Sequence, residues 1–284
     1  MEIKKVAILA NTKAGKGKSK QISIWLQEQL VTKNILSTIH DTEWPTNNEL
    51  AQYSDIWVIG GDGTINYFIN KYPHCKIPIV LYSGGTGNDF AWKLYGNVNV
   101  KQQFENILNA TPKLIDAAQV NDKLYINCLG VGFDGEILQS MKSIRWIGGH
   151  FGYLLAVIFK IFFFKSPTIK IQIDGESWHE KFLLALIVNS SRAGGGFFIA
   201  PTAEINDGLL NMVLSKNISI IKRLRYLPII QKGQHLHLPF ITHRLTKNIT
   251  ITCENELPIQ IDGELIYAKN IEIKVLPKQF LFRY

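Results

Sequence analysis

Asp62 sits in the run Gly60-Gly61-Asp62-Gly63-Thr64, between the apolar stretch 56–59 and a segment whose Ile65, Phe68 and Ile69 recur at helical spacing. A glycine turn thus joins a strand end to a helix start. Glycines let backbone N–H groups approach an anion, and a helix N-terminus favours negative charge. Thr64 adds a hydroxyl donor. Asp62 would repel a phosphate unless a divalent cation lies between them or the carboxylate orders the loop. An ordinary strand–turn–helix corner is the plain alternative, and two glycines alone would leave it ahead. The full run favours nucleotide phosphate binding.

Two more glycine loops follow apolar strands. Asn11-Thr12-Lys13-Ala14-Gly15-Lys16-Gly17-Lys18-Ser19 follows the stretch 6–10. It fails the Walker A template, which needs glycine where Thr12 stands, and the dinucleotide fingerprint, which needs a small residue at Lys20. It reads as a basic phosphate loop of another type. Ser83-Gly84-Gly85-Thr86-Gly87-Asn88-Asp89 follows the strand 77–82, with Asn88 placed to cap the next helix. Thr42 ends the strand candidate 35–40, where a loop residue and a ligand contact are equally open.

A hexapeptide, Ile-Gln-Ile-Asp-Gly-Glu, occurs at 171–176 and again at 259–264. Asp-Gly between alternating apolar residues is a strong hairpin signal, so turn chemistry reads both copies alike.

The loop at 60–64 resembles the Gly-Gly-Asp-Gly signature of diacylglycerol-type lipid kinases, sphingosine and ceramide kinases, NAD kinases and phosphofructokinases. Gly-Thr-Gly-Asn-Asp-Phe-Ala at 85–91 narrows this, because it resembles the diacylglycerol kinase catalytic domain. The first loop is similar to that family's Asn-Pro-x-x-Gly-x-Gly, with Thr12 in place of proline. Lys113-Leu-Ile-Asp-Ala, Asn127 through Gly-Phe-Asp-Gly-Glu136, Asn189 through Asp207-Gly-Leu-Leu, and Asp262-Gly-Glu continue the resemblance over residues 6–264.

The resemblance implies ATP and Mg²⁺, with a lipid hydroxyl as acceptor and the nucleotide in a cleft between two domains. It places nucleotide contacts at Asn11, Thr12, Lys13, Lys16, Thr42, Gly60, Gly61, Asp62, Gly63, Thr64, Asn66, Gly85, Thr86 and Asn88. Phosphoryl transfer needs charge neutralisation and in-line placement, for which Lys16 and Mg²⁺ are expected. A lipid hydroxyl is a poor nucleophile at neutral pH, so a carboxylate base is wanted. Glu264 is the expected base, positioned by Asp262; the resemblance selects this copy over Glu176. Asp62, Asp89, Asp116 and Asp134 are expected to form an acidic network around metal and headgroup. Asp207, with the Leu209 carbonyl, resembles a structural Mg²⁺ site, although Asn211 stands where an acid is common. A NAD kinase-like enzyme and a non-catalytic lipid-binding pseudokinase are the alternatives.

The elements that carry these residues divide in two. Strand, glycine turn and helix recur three times before residue 95, which predicts an α/β domain over 1–111 with a mostly parallel sheet, of phosphofructokinase/NAD-kinase-like type. Short strand-like runs with turn signals from 112 to 276 predict a β-sandwich that binds the lipid. The segment 277–284 is expected to return to the first domain. The apolar stretch 151–164 is too short for a span; a core helix and a wall for a lipid tail are both open. Residues 218–231 read as a basic helix.

The chain has 284 residues, 46% of them hydrophobic, enough for a sizeable core. Three scattered cysteines argue for a reducing compartment and against a disulfide framework or a metal site. A net charge of +8 suits a polyanionic ligand or an anionic membrane surface. No nucleic-acid-binding signature is present. A strand near the N-terminus leaves no visible signal peptide. The expected setting is cytoplasmic and peripheral at the inner membrane face, with a homodimer left open.

Overall fold

The computed structural model describes residues 2–11, 17–85, 87–143 and 149–284, with the backbone alone at 141–143 and 149–154. The chain forms two compact units, Met1–Ile115 with Lys278–Tyr284, and Asp116–Pro277.

In the first unit β1 (Lys5–Ala10), α1 (Lys18–Thr32), β2 (Leu36–His40), α2 (Asn47–Leu50), β3 (Asp55–Gly60), α3 (Asp62–Lys71) and β4 (Ile79–Ser83) alternate. α4 (Asp89–Tyr95) and α5 (Val100–Asn109) follow. The pairs β1–β2, β1–β3 and β3–β4 are parallel. All six residues of β3 are buried, as a strand covered on both faces requires. Leu26 and Leu30 of α1 and Phe104 of α5 pack on Ile8, Trp57, Val80 and Tyr82.

The segment Lys278–Tyr284 belongs to this unit. Phe282 pairs in parallel with Ile79. Arg283 donates to both oxygens of Asp55, at 2.7 and 3.2 Å, with both side chains almost wholly buried. Removing one partner of such a pair leaves a buried charge uncompensated, at a cost of about 3–5 kcal/mol.

β5 (Pro112–Val120) runs across the division between units. The second unit then holds β6 (Lys123–Tyr125), β7 (Cys128–Gly132), α6 (Phe133–Ser143), α7 (Gly149–Phe163), β8 (Thr168–Ile173), β9 (Glu176–Val188), β10 (Leu210–Lys216), α8 (Ile220–Gln231), β11 (Ile241–Thr246), β12 (Asn248–Ile261) and the part of β13 (Glu264–Arg283) that precedes Lys278. Its pairings are antiparallel: β5–β6, β7–β9, β8–β9, β9–β10, β10–β11, β7–β12, β8–β12 and β12–β13. Inward residues such as Leu129, Ile171, Ile187, Met212, Ile251 and Ile271 form its core.

Residues 248–261 form one strand, because β12 pairs with β13 on both sides of a register break between Thr252 and Leu257. Within β13, Lys278 adopts a left-handed φ of 55°.

Candidate active site

The two described glycine loops of the first unit meet backbone to backbone. Gly84 N donates to Gly60 O at 2.8 Å, tying the end of β4 to the end of β3. A Cβ on Gly85 would collide with Gly61, and one on Gly84 would collide with Ser19. These glycines are therefore demanded by packing. Gly63 differs, because a Cβ there would meet nothing within 4 Å. It is the glycine of this loop left open to a ligand.

Asp62 joins the loops. Its Oδ1 accepts Phe90 N at 3.1 Å and its Oδ2 accepts Asp89 N at 3.2 Å. Burial pushes its carboxyl above the usual carboxylate range, and the backbone donors of Phe90 and Asp89 pull the other way. Of the two arrangements open to this residue, loop ordering is the one with geometry behind it. Asn88 does not cap α4 through its side chain as expected. It adopts left-handed backbone, φ 52°, and its amide closes on Gly85, accepting Gly85 N at 3.0 Å and donating to Gly85 O at 2.8 Å. Asp62 takes the free amides in its place, and Asp89 is buried in the first turn of α4.

Beside the loops lies a polar cleft of 490 Å³, lined by Asn11, Thr42, Gly63 and Thr64 together with Trp44, Tyr67 and Lys71. Asn11 Nδ2 donates to Thr64 Oγ1 at 3.3 Å. Thr42 Oγ1 donates to Asp41 at 3.1 Å. Asn66 is buried on α3 and accepts from Asn70 through its carbonyl and side-chain oxygens, so it faces the helix more than the cleft. Thr12, Lys13, Lys16 and Thr86 lie outside the described residues.

Trp44, Tyr67 and Lys71 were missed from sequence. The Trp44 and Tyr67 rings meet edge-on with centroids 5.1 Å apart, and Lys71 Nζ donates to Trp44 O at 3.2 Å. The signal was available in Tyr67 and Lys71, one helical turn apart on α3 and facing away from its apolar stripe.

In the second unit both hexapeptides form the same turn. Asp174 and Gly175 have φ of 38° and 85°; Asp262 and Gly263 have 47° and 87°. Two successive positive φ values make the hairpin turn whose twist suits flanking strands. The turns pair Ile173 with Glu176 and Ile261 with Glu264. Their surroundings differ. Asp174 accepts Thr246 Oγ1 at 2.9 Å, and Glu176 ion-pairs with Arg244 at 3.3 Å. Asp262 is buried, and its carboxylate accepts Ile126 N, Asn127 N and Cys128 N at 2.9, 3.1 and 2.8 Å. Asp262 N donates in turn to Cys128 O at 2.9 Å. Glu264 is exposed, and its carboxylate has no partner among the described residues.

Of the remaining acids, Asp62 and Asp89 belong to the first unit and Asp116 and Asp134 to the second. Asp116 is buried and accepts Gly208 N at 2.7 Å, pinning the Asp207 turn. Asp207 accepts Leu209 N at 3.0 Å, a local turn bond. Among the described residues no three His, Cys, Asp or Glu side chains converge as metal ligands. The bond from Leu209 N engages Asp207 Oδ1 and leaves Oδ2 and the Leu209 carbonyl, the expected Mg²⁺ ligands, to be tested by metal binding.

Asp134 stands in the first turn of α6, where Gly130 leaves room for its carboxyl. It borders an apolar cavity of 100 Å³ walled by Ile137, Val157, Ile161, Leu186, Phe197 and Val213. Burial pushes the Asp134 carboxyl up to about 6.

The chain matches two family models. The diacylglycerol kinase catalytic domain covers residues 5–120, and the YegS C-terminal NAD kinase beta sandwich-like domain covers residues 127–281. A protein named diacylglycerol kinase from Mycobacterium tuberculosis is 26% identical over 291 residues, covering 97% of this chain and 94% of the relative. Another of that name from Bacillus subtilis is 25% identical over 219 residues, covering 76% and 72%. A crystal structure of a diacylglycerol kinase from Bacillus anthracis superposes with a TM-score of 0.76 at 23% identity, covering 100% and 98% of the two chains. That likeness shows the fold.

Proposed function

The chain belongs to the family that joins a diacylglycerol kinase catalytic domain to a YegS C-terminal NAD kinase beta sandwich-like domain, and we propose that it transfers the γ-phosphoryl group of ATP to a lipid hydroxyl. The polar cleft beside Gly63 and Thr64 is our site for the nucleotide, with Lys16 and the Asn11 loop on its phosphates. Mg²⁺ enters with ATP as part of the substrate and neutralises phosphate charge. Asp62 acts as a positioning residue that holds the two glycine loops in register.

In this reading Glu264 accepts the proton of the lipid hydroxyl as its oxygen bonds to the γ-phosphorus. The bond from that phosphorus to the β–γ bridging oxygen breaks, and ADP leaves. Asp262 fixes the turn that presents Glu264. Asp134 reads the polar end of the lipid, whose apolar part lies along the cavity bordered by α6 and α7. The protein works as a peripheral protein on an anionic, cytoplasmic membrane face.

The observation that carries the reading is the contrast between the two hexapeptides. The same six residues make the same turn, yet Glu176 is spent on Arg244 while Glu264, on a turn locked by three backbone donors, has no partner among the described residues. A free carboxylate on a rigid support is what a general base needs.

The test is incubation with γ-labelled ATP and Mg²⁺ against a panel of lipids: diacylglycerol, phosphatidylglycerol, a sphingoid base and a polyprenyl alcohol. Label in one lipid class supports the proposal and names the substrate. Label in NAD instead would make the protein a NAD kinase. ATP binding with no labelled product from any acceptor would make it a regulatory binding protein.

A further inference from the structure

α7 has two apolar faces. Ala156, Val157 and Ile161 are buried against Ile137 of α6. Leu155, Ile158, Phe159, Phe162 and Phe163 recur at helical spacing on the other side and are exposed, Phe163 by 68%. A monomeric soluble surface seldom carries so many large apolar side chains together.

α8 extends this surface. It buries none of its residues, and Ile220, Ile221 and Leu224 are exposed, Ile221 by 79%. Arg223 ties α8 to α7. Its Nη1 donates to the carbonyls of Ile161 and Phe164 at 3.0 and 3.1 Å, filling acceptors that the end of α7 leaves open. Lys160 meets Glu136 at 2.6 Å and ties α7 to α6. The helices are thus held to the unit by their inner faces while their outer faces stay bare.

Glu136 of α6 is paired by Lys160, and the charges carried by α7 and α8 themselves have one sign. Neither 149–165 nor 217–232 contains an Asp or Glu, while Lys165, Lys222 and Arg225 are exposed. Two copies of this face pressed together would set like charges against each other. An anionic bilayer surface would pair with the basic residues and take the phenylalanines into its headgroup–acyl boundary. At 15 residues α7 reaches about 22 Å, short of the roughly 30 Å hydrocarbon core. No helix among the described residues is long and apolar enough to cross a membrane. The geometry is that of a helix pair lying on the surface.

We infer that the outer faces of α7 and α8 form the docking surface of this protein on anionic phospholipid membranes. The inference rests on the lipid-kinase reading only for the purpose of docking, since binding is measured without ATP. Docking there brings the apolar cavity behind α7 to the layer in which its lipid resides.

The test is co-sedimentation of the full chain with vesicles of phosphatidylcholine alone or with added phosphatidylglycerol. Wild type is expected to bind the anionic vesicles, more weakly as salt rises. Phe159→Ser with Phe163→Ser should weaken binding roughly tenfold per phenylalanine. Lys222→Gln and Arg225→Gln should each weaken it about fivefold. All four positions are exposed, so unfolding temperatures should hold, and any activity on a water-dispersed short-chain lipid should hold with them. Unchanged vesicle binding in both double variants would overturn the inference. So would loss of a wild-type dimer in sedimentation velocity without loss of vesicle binding, which would make a second copy the occupant. Failure of the kinase reading has a separate signature: no labelled lipid from wild type in either vesicles or short-chain form.

Discussion

The carboxylate of Asp62, at the start of α3, accepts the backbone N–H of Phe90, in the first turn of α4, at 3.1 Å. Its second oxygen accepts Asp89 N, so one side chain serves the amides that Asn88 leaves unserved. Asp62→Ala would strand two partly buried donors. The expected loss is roughly 1–3 kcal/mol for each group left unsatisfied, together with nearly all transfer activity as the loops lose register. Asp62→Asn keeps one acceptor and should lose less stability. Urea unfolding and hydrogen exchange at the amides of residues 89 and 90 measure this. Unchanged protection in Asp62→Ala would remove the side chain from the support of α4.

Asp262 and Asp174 offer a matched comparison of turn carboxylates. Asparagine tolerates the left-handed backbone both residues adopt, so Asp→Asn keeps turn propensity and changes the acceptor. Asp262→Asn turns an N–H toward one of three backbone donors and should cost roughly 2–3 kcal/mol. Asp174→Asn disturbs one bond to Thr246 and should cost about 1 kcal/mol or less. Denaturant midpoints of the two variants decide it. Equal, small costs would mean that the three amides do not depend on Asp262.

Much of this architecture could be read from residue order, and the reasons for the rest are physical. The buried β3 announced itself as an unbroken apolar run before Gly60, and Asp-Gly marked both hairpins. α6 escaped because its first turn, Phe133-Asp134-Gly135-Glu136, carries a glycine that a helix normally disfavours. That glycine is there because a Cβ would collide with the carbonyl of Pro258, a contact distant in sequence. The cap of α4 escaped for the same reason: Asn88 is the local candidate, and the acceptor lies 27 residues back. The backbone donors that Asp62 and Asp116 accept lie 28 and 92 residues away, which composition and spacing do not reveal.

Asp134 makes stability depend on pH. Burial raises its carboxyl from 3.8 to about 6 in the folded chain. The unfolded chain therefore releases this proton first as pH rises, and the group's contribution turns unfavourable between those values and stays so above them. Asp134→Asn should stabilise the protein above pH ~7, by up to roughly 3 kcal/mol, and by much less below pH ~4. Lipid-dependent turnover should fall in the same variant. Urea unfolding at the two pH values tests the sign. A variant less stable than wild type at the higher pH would show that Asp134 is held by favourable contacts.

Glu264→Gln compared with Glu176→Gln, in rates of label transfer from ATP to lipid, tests the central claim most directly. Both glutamates follow the same five residues and close the same turn. Glu176→Gln weakens an exposed ion pair with Arg244, worth about 1 kcal/mol or less, and should leave kcat unchanged. Glu264→Gln removes the proton acceptor and should lower kcat by roughly 10²–10⁴-fold with ATP binding retained. Equal and small effects at both positions would contradict the account, and a large loss at Glu176 alone would place the base on the other hairpin.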